Sequence, residues 1–144
     1  MSNSLRVIAD ADAIVAQVSP NDSLHLKAVK TAENLVKTNA QLLYPVTAVI
    51  EATTHIQRVL NSGATAYGTA AAFTDSNVSV IEVNQETLKH AMQFFSPTTS
   101  KKNTIYDCIV AALAEENDAD AIFSFDKFYK SKGFKLASDM SQLK

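Results

Sequence analysis

Cysteine occurs once in the 144 residues, at Cys108. With nothing to pair with inside the chain, it excludes an intramolecular disulfide and fits a reducing compartment. Long apolar runs are missing too: no window approaches the roughly 20 residues of a membrane span. Asp10 and Asp12 interrupt the apolar N-terminal stretch that a secretory signal would need. Repeats, low-complexity tracts and interdomain linkers are absent. Neither a G-x-G-x-x-G nor a P-loop pattern occurs, so nucleotide cofactors gain no support, and no serine stands in a nucleophile elbow. These absences lead us to expect one cytoplasmic domain over residues 1–144, with no membrane segment.

Charge is scarce as well. Charged residues make up 19% of the chain against 47% hydrophobic, so an acid inside an apolar stretch carries information. The net charge of −2 gives no global basic signature of a nucleic-acid binder, and it does not exclude one.

What is present is an alternation of short apolar runs and helical patterns. Leu5 to Ala9 reads as a strand, and after the turn Ser19-Pro20-Asn21-Asp22 the residues Leu26, Val29, Ala32 and Val36 recur at helical spacing. Leu42 to Tyr44 reads as a short buried strand. Thr47 is expected to cap a helix carrying Val49, Ile50, Ile56, Val59 and Leu60 that stops near Gly63. A helix over Ala64–Phe73, a β-branched strand over Val78–Val83 and a helix over Gln85–Phe95 follow. Next come the loop Pro97–Asn103, an apolar helix over Thr104–Asn117, a strand over Ala121–Ser124 and a last strand over Phe134–Ala137. The alternation predicts an α/β fold with a mainly parallel sheet and right-handed crossovers. In such sheets ligands bind beyond the carboxyl ends of the strands.

Four acids fall where that rule directs attention. In RVIADADAIVAQ, Asp10 ends the first strand, and Asp126 follows the strand AIFS in the same way. Glu51 is the only charged residue between Lys37 and Arg58, and Asp107 the only one between Lys102 and Glu115; both are expected near helix starts, where the macrodipole favours an anion. Each acid also has a purely structural reading. Thr104-Ile105-Tyr106-Asp107 fits a capping box, Glu51 can complement a helix dipole, Asp126 can be a turn residue, and Asp10 can exit into solvent. Asp12 can cap a helix starting near Ala13. If the acids converge, they repel one another unless cations are present, and hard oxygen ligands suit Mg²⁺ or Mn²⁺. Zinc is disfavoured because Cys108 stands alone and His25, His55 and His90 lack a close ligand pair. His55 shares a helix face with Glu51.

The ordered set VIADADAIVA, TAVIEATTHI, YDCIVAALA and FSFDKF resembles the PIN domain (PilT N-terminus) ribonucleases, especially the stand-alone VapC-type toxins of toxin–antitoxin pairs. The resemblance covers nearly the whole chain. It implies a three-layer sandwich with a five-stranded, mainly parallel sheet flanked by helices. It also implies a divalent-metal-dependent endoribonuclease, an RNA substrate, an antitoxin partner and a homodimer. By position Asp10, Glu51, Asp107 and Asp126 match the four family acids, catalytic and metal-binding, and Ser124 matches the Ser or Thr often found before the last of them. One departure stands out. The family commonly has Thr or Ser after the first Asp and then Asn or Ser, where this chain has Ala11 and Asp12. Asp12 and Ser124 are therefore expected to support the ligands from behind.

With four of 15 acids committed to a cation, the 13 Lys and Arg outnumber the rest. Lys101, Lys102, Lys127 and Lys130 are candidates for RNA phosphate contacts, with Lys132 and Lys135 further along. Phe128 and Tyr129 are candidates for base stacking, Phe128 also for core packing. Two other readings stay open. Asp10-Ala11-Asp12 resembles the nucleophile and acid of haloacid-dehalogenase phosphatases, although no paired acidic motif follows Asp126. A non-catalytic PIN-like module for RNA or protein binding is the other.

Overall fold

The computed structural model describes residues 4–140. Four parallel strands form one sheet in the order β3-β2-β1-β4, with β1 at Arg6–Ala9, β2 at Gln41–Pro45, β3 at Ser79–Ile81 and β4 at Ala121–Phe123. Register pairs Val7 with Leu42 and Ala121, and Ile8 with Leu43 and Ile122. Strands buried on both faces need apolar residues at every position, and β4 and the buried Val7–Ala9 of β1 meet that need, while Arg6 starts β1 exposed. Val7, Ala9, Ala121 and Phe123 pack with Ala13, Ala16, Ala28 and Leu35 in one core cluster. Ile8, Leu43 and Ile122 pack with Val110, Ala111 and Tyr129 in another.

The first cluster joins the sheet to α1 (Ala11–Val18) and α2 (His25–Lys37). The second joins it to α6 (Ile105–Glu116) and α7 (Phe128–Ser131). Between β2 and β3 run α3 (Val46–Arg58) and α4 (Gly63–Ala72), which pack on α1 through Ile14, Val15, Ala48, Ala52, Ile56 and Ala66. Helix α5 (Gln85–Ala91) lies against α6, where His90 Nε2 meets Glu115 Oε1 at 2.7 Å. Among the described residues no helix is long and apolar enough to cross a membrane.

Several expectations are corrected. The fifth strand is reduced to a single parallel bridge, Ile122 to Leu136. The chain turns sharply at Gly133 (φ 92°) and winds into a 3-10 turn at Ala137–Asp139, so nothing remains to continue a ladder. Thr47 does not cap α3: the helix starts one residue earlier behind Pro45, and Thr47 Oγ1 is buried without a hydrogen-bond partner. Helix α2 turns Ala28, Thr31 and Leu35 inward and leaves Leu26 and Val36 about 80% exposed. Thr31 is tolerated in the core because its hydroxyl donates to Lys27 O at 2.8 Å. Helix α1 begins at Ala11, not Ala13, so its N-cap is Asp10, and Asp12 sits in its first turn.

Glycine has opposite roles at two places. A Cβ at Gly133 meets nothing within 4 Å, but its φ of 92° is one that side-chain-bearing residues rarely adopt. Gly68 lies exposed inside α4, also with open space around it. We expect Gly133→Ala to cost about 1–2 kcal/mol from backbone strain alone. Gly68→Ala is expected to stabilise by about 0.5–1 kcal/mol through helix propensity. Urea unfolding of the two variants, which must move the midpoint in opposite directions, is the check.

Candidate active site

The acids singled out by the sequence meet where the strands end. Asp10 leaves β1 with its N–H donating to Phe123 O at 3.0 Å, and then caps α1. It is only 3% exposed. Its Oδ1 accepts Ala11 N–H at 2.7 Å and its Oδ2 accepts the Tyr129 hydroxyl at 2.6 Å. Asp107 sits in the first turn of α6 and completes the capping box with Thr104, its Oδ2 accepting Thr104 N–H at 3.0 Å. Its other oxygen lies 3.4 Å from the Tyr129 hydroxyl. Capping and site membership are therefore not alternatives, because one carboxylate serves both with different oxygens.

Asp126 stands between β4 and α7, where Oδ1 accepts Phe128 N–H at 2.9 Å. Its Oδ2 accepts Asn103 Nδ2 at 2.8 Å, and the same amide lies 3.4 Å from Asp107 Oδ2. Glu51 occupies the second turn of α3 rather than the first, so the helix-end field acts on it more weakly than expected.

Asp12 joins them as a fifth acid. Its Oδ2 accepts Ser124 Oγ at 3.0 Å and Phe125 N–H at 2.8 Å. Ser124 Oγ in turn accepts Asp126 N–H at 3.1 Å, so Asp12 holds the segment that carries Asp126. Asp12 Oδ1 is buried with no partner. All five acids line one cavity of about 290 Å³, together with Ala11, Val15, Asp22, Leu24 and His55.

Burial and crowding act on these acids in one direction. Burial, then Asp12 and Asp107, push the Asp10 carboxyl well above the usual carboxylate range, against the lowering hydrogen bonds from Tyr129 and Ala11. Asp12 is raised chiefly by burial, with Asp126 adding to it, and Asp107 likewise. Glu51 is pushed up to about 7 by burial, then by Asp107 and Asp12. Tyr129 is held well above its ordinary value by burial and by the acids, so its hydroxyl stays a proton donor. No Lys or Arg lines the cavity, and His55 is the one lining residue able to carry positive charge.

As placed, no three His, Cys, Asp or Glu among the described residues are positioned to hold one metal ion. The donor chemistry nonetheless fits a hard divalent cation. These are oxygen ligands with further lone pairs available, they are crowded without a basic counterpart, and Asp12 Oδ1 is a buried acceptor that nothing satisfies.

The basic residues lie elsewhere. Lys101, Lys102 and Lys127 are exposed, and Lys130 Nζ pairs with Asp139 at 2.8 Å; none of the four lines the cavity. Tyr129 is fully buried and cannot stack on a base, whereas Phe128 is half-buried with Lys132 Nζ 5.5 Å over its ring. Sequence reasoning missed Tyr129 and Asn103 as donors that bridge pairs of acids. It also missed Val15, Asp22 and Leu24 as wall residues.

Comparison with known proteins agrees with this architecture. No curated protein sequence matches the chain. The crystal structure of Mycobacterium tuberculosis VapC20, described as a sarcin-ricin loop cleaving toxin, superposes with a TM-score of 0.75 at 16% identity, covering 89% of this chain and 95% of that one. The family model of the PIN domain matches residues 7–135, with Asp10 at the end of the first strand and Asp126 after the last both inside the match, and the chain belongs to the PIN domain family.

Proposed function

We propose that the protein is a divalent-metal-dependent endoribonuclease, the toxin of a type II toxin–antitoxin pair. The observation that carries this reading is the convergence of Asp10, Asp12, Glu51, Asp107 and Asp126 on one cavity beyond the strand ends, with no Lys or Arg among its lining residues. Membership of the PIN family and the likeness to a VapC toxin support it. The phosphatase alternative loses its basis with the family assignment, and it has no use for Glu51.

Asp10, Glu51, Asp107 and Asp126 are the residues we assign to hold Mg²⁺ or Mn²⁺. The bound cation supplies water activation and charge stabilisation at the phosphodiester. The protein's own residues set the stage. Tyr129 and Ala11 fix the Asp10 carboxylate from two sides, and Asn103 with Thr104 and Phe128 fixes Asp107 and Asp126. Asp10, Asp107 and Asp126 thus have their carboxylates oriented before any cation arrives, which lowers the reorganisation needed for binding. Asp12 and Ser124 hold the start of the segment that delivers Asp126. Lys101, Lys102 and Lys127 are exposed and can meet flanking phosphates of an RNA. The antitoxin partner and a homodimeric state belong to the same proposal.

The first test is chemical. Purified protein with Mg²⁺ or Mn²⁺ should cut RNA to products with 5′-phosphate and 3′-hydroxyl ends, and EDTA should stop it. Asp10→Asn and Asp107→Asn should lose at least about a hundredfold in rate. Tyr129→Phe and Asp12→Asn should lose roughly ten- to a hundredfold in metal affinity, as outer partners of ligands do. Near-normal cleavage by the two ligand variants in folded protein rejects the site; metal binding without cleavage by wild type marks a binding module instead.

The second test is thermodynamic. Glu51 rises from 4.5 to about 7 on folding, and Asp10, Asp12 and Asp107 move in the same direction. For a raised group the stabilisation is complete below the unfolded value and is lost as pH climbs through the folded one. In EDTA the urea midpoint should therefore fall between pH ~5 and pH ~8, and Glu51→Gln should shrink the fall. Millimolar Mn²⁺ should raise the midpoint more at the higher pH, because binding requires ionised carboxylates. A midpoint insensitive to Mn²⁺ at both pH values counts against metal binding.

A further inference from the structure

The cavity has a second character that hydrolysis leaves unused. Three of its lining residues, Ala11, Val15 and Leu24, are aliphatic. Ala11 and Val15 stand one turn apart on α1, so they share a face. Ala11 adds its methyl group to the apolar surface. Leu24 reaches the cavity from the turn before α2, and that turn is tied down. Asp22 N–H donates to Ser19 O at 3.0 Å, Leu24 N–H donates to Asp22 Oδ1 at 2.8 Å, and His25 Nδ1 lies 2.7 Å from Ala16 O on α1. Leu24 keeps 36% of its surface exposed. Ala11 and Val15 are 6% and 8% exposed. Asp22 lines the cavity too and retains acceptor capacity on a carboxylate that accepts one bond from Leu24 N–H.

We infer that Ala11, Val15 and Leu24 form a slot for one unpaired nucleobase next to the scissile phosphate, and that Asp22 reads its edge. The inference rests on the ribonuclease reading above and names what that site selects. At about 290 Å³ the cavity lies just under the roughly 300–1,000 Å³ of small-ligand pockets, a size that suits a base and excludes a duplex. Single-stranded RNA is recognised by bases splayed from the stack, packed on side chains and hydrogen-bonded along their edges. A planar base against aliphatic side chains satisfies the slot. An ionised carboxylate only accepts, so its partner edge must donate. The exocyclic amino groups of adenine, cytosine and guanine do so, whereas uracil offers carbonyls on either side of a single N–H. The site therefore favours an amino-bearing base over uracil.

The test separates binding from cleavage. Short fluorescent oligo-A, oligo-C and oligo-U are titrated by anisotropy with Ca²⁺, an oxygen-seeking cation, in place of Mg²⁺. Oligo-A and oligo-C should bind about fivefold tighter than oligo-U, the worth of one net hydrogen bond. Asp22→Asn keeps the acceptor for Leu24 N–H and hence the turn, but adds an amide donor. It should erase the preference against uracil. Leu24→Ala should weaken all three oligomers together without changing their order. Equal binding of the three by wild type, no binding of any, or an unchanged ranking in Asp22→Asn overturns the inference. Loss of cleavage by wild type with the ranking intact would instead reject the nuclease reading and leave the base slot standing.

Discussion

Six carboxyl-bearing residues surround one cavity with no Lys or Arg among its walls, and all but Glu51 accept a hydrogen bond from a neutral donor. The holding is done by neutral donors. The hydroxyls of Tyr129 and Ser124, the Asn103 amide and the backbone N–H groups of Ala11, Thr104, Phe125 and Phe128 each direct a hydrogen bond at a carboxylate oxygen. In a site of low local dielectric such bonds are stronger than in water. They still leave the acids raised toward their protonated forms. This crowding of acids without a basic counterpart is the feature on which the proposed cation binding rests.

Local folding signals and site chemistry share the same atoms. Asp10 is the N-cap of α1, and Asp107 completes the capping box of α6. A residue that fixes a helix start cannot drift, so these two carboxylates inherit the rigidity of the helices they begin. Tyr129 does the same from the core side. Its ring is part of the cluster under β1 and β4, and only its oxygen reaches the acids.

This sharing explains what was legible in the sequence and what was not. The acids stood out because charge is rare in apolar stretches, and a charge there needs a reason. The capping role of Asp107 was legible from local spacing alone, and the capping box with Thr104 is present. Tyr129 stood out only as a candidate for base stacking, and Asn103 not at all, since an uncharged polar residue has many ordinary uses. The Tyr129 bond to Asp10 joins residues 119 apart, beyond the reach of any periodicity. The face of α2 was misread for a related reason: a hydroxyl satisfied by its own helix let Thr31 take a core position that pattern reserves for aliphatic residues. The parallel sheet was legible from alternation, but its fifth strand was not refused until the turn at Gly133 and the winding at Ala137 were visible.

The shortness of the outer strands has a consequence for how copies of this chain meet. Both edges of the sheet, β3 and β4, are three residues long, and β4 is further engaged by the bridge from Leu136. An edge that short offers an approaching strand only two or three bonds, too few to template growth. Edge-to-edge polymerisation, the common hazard of an open sheet, is thereby closed to the described fold.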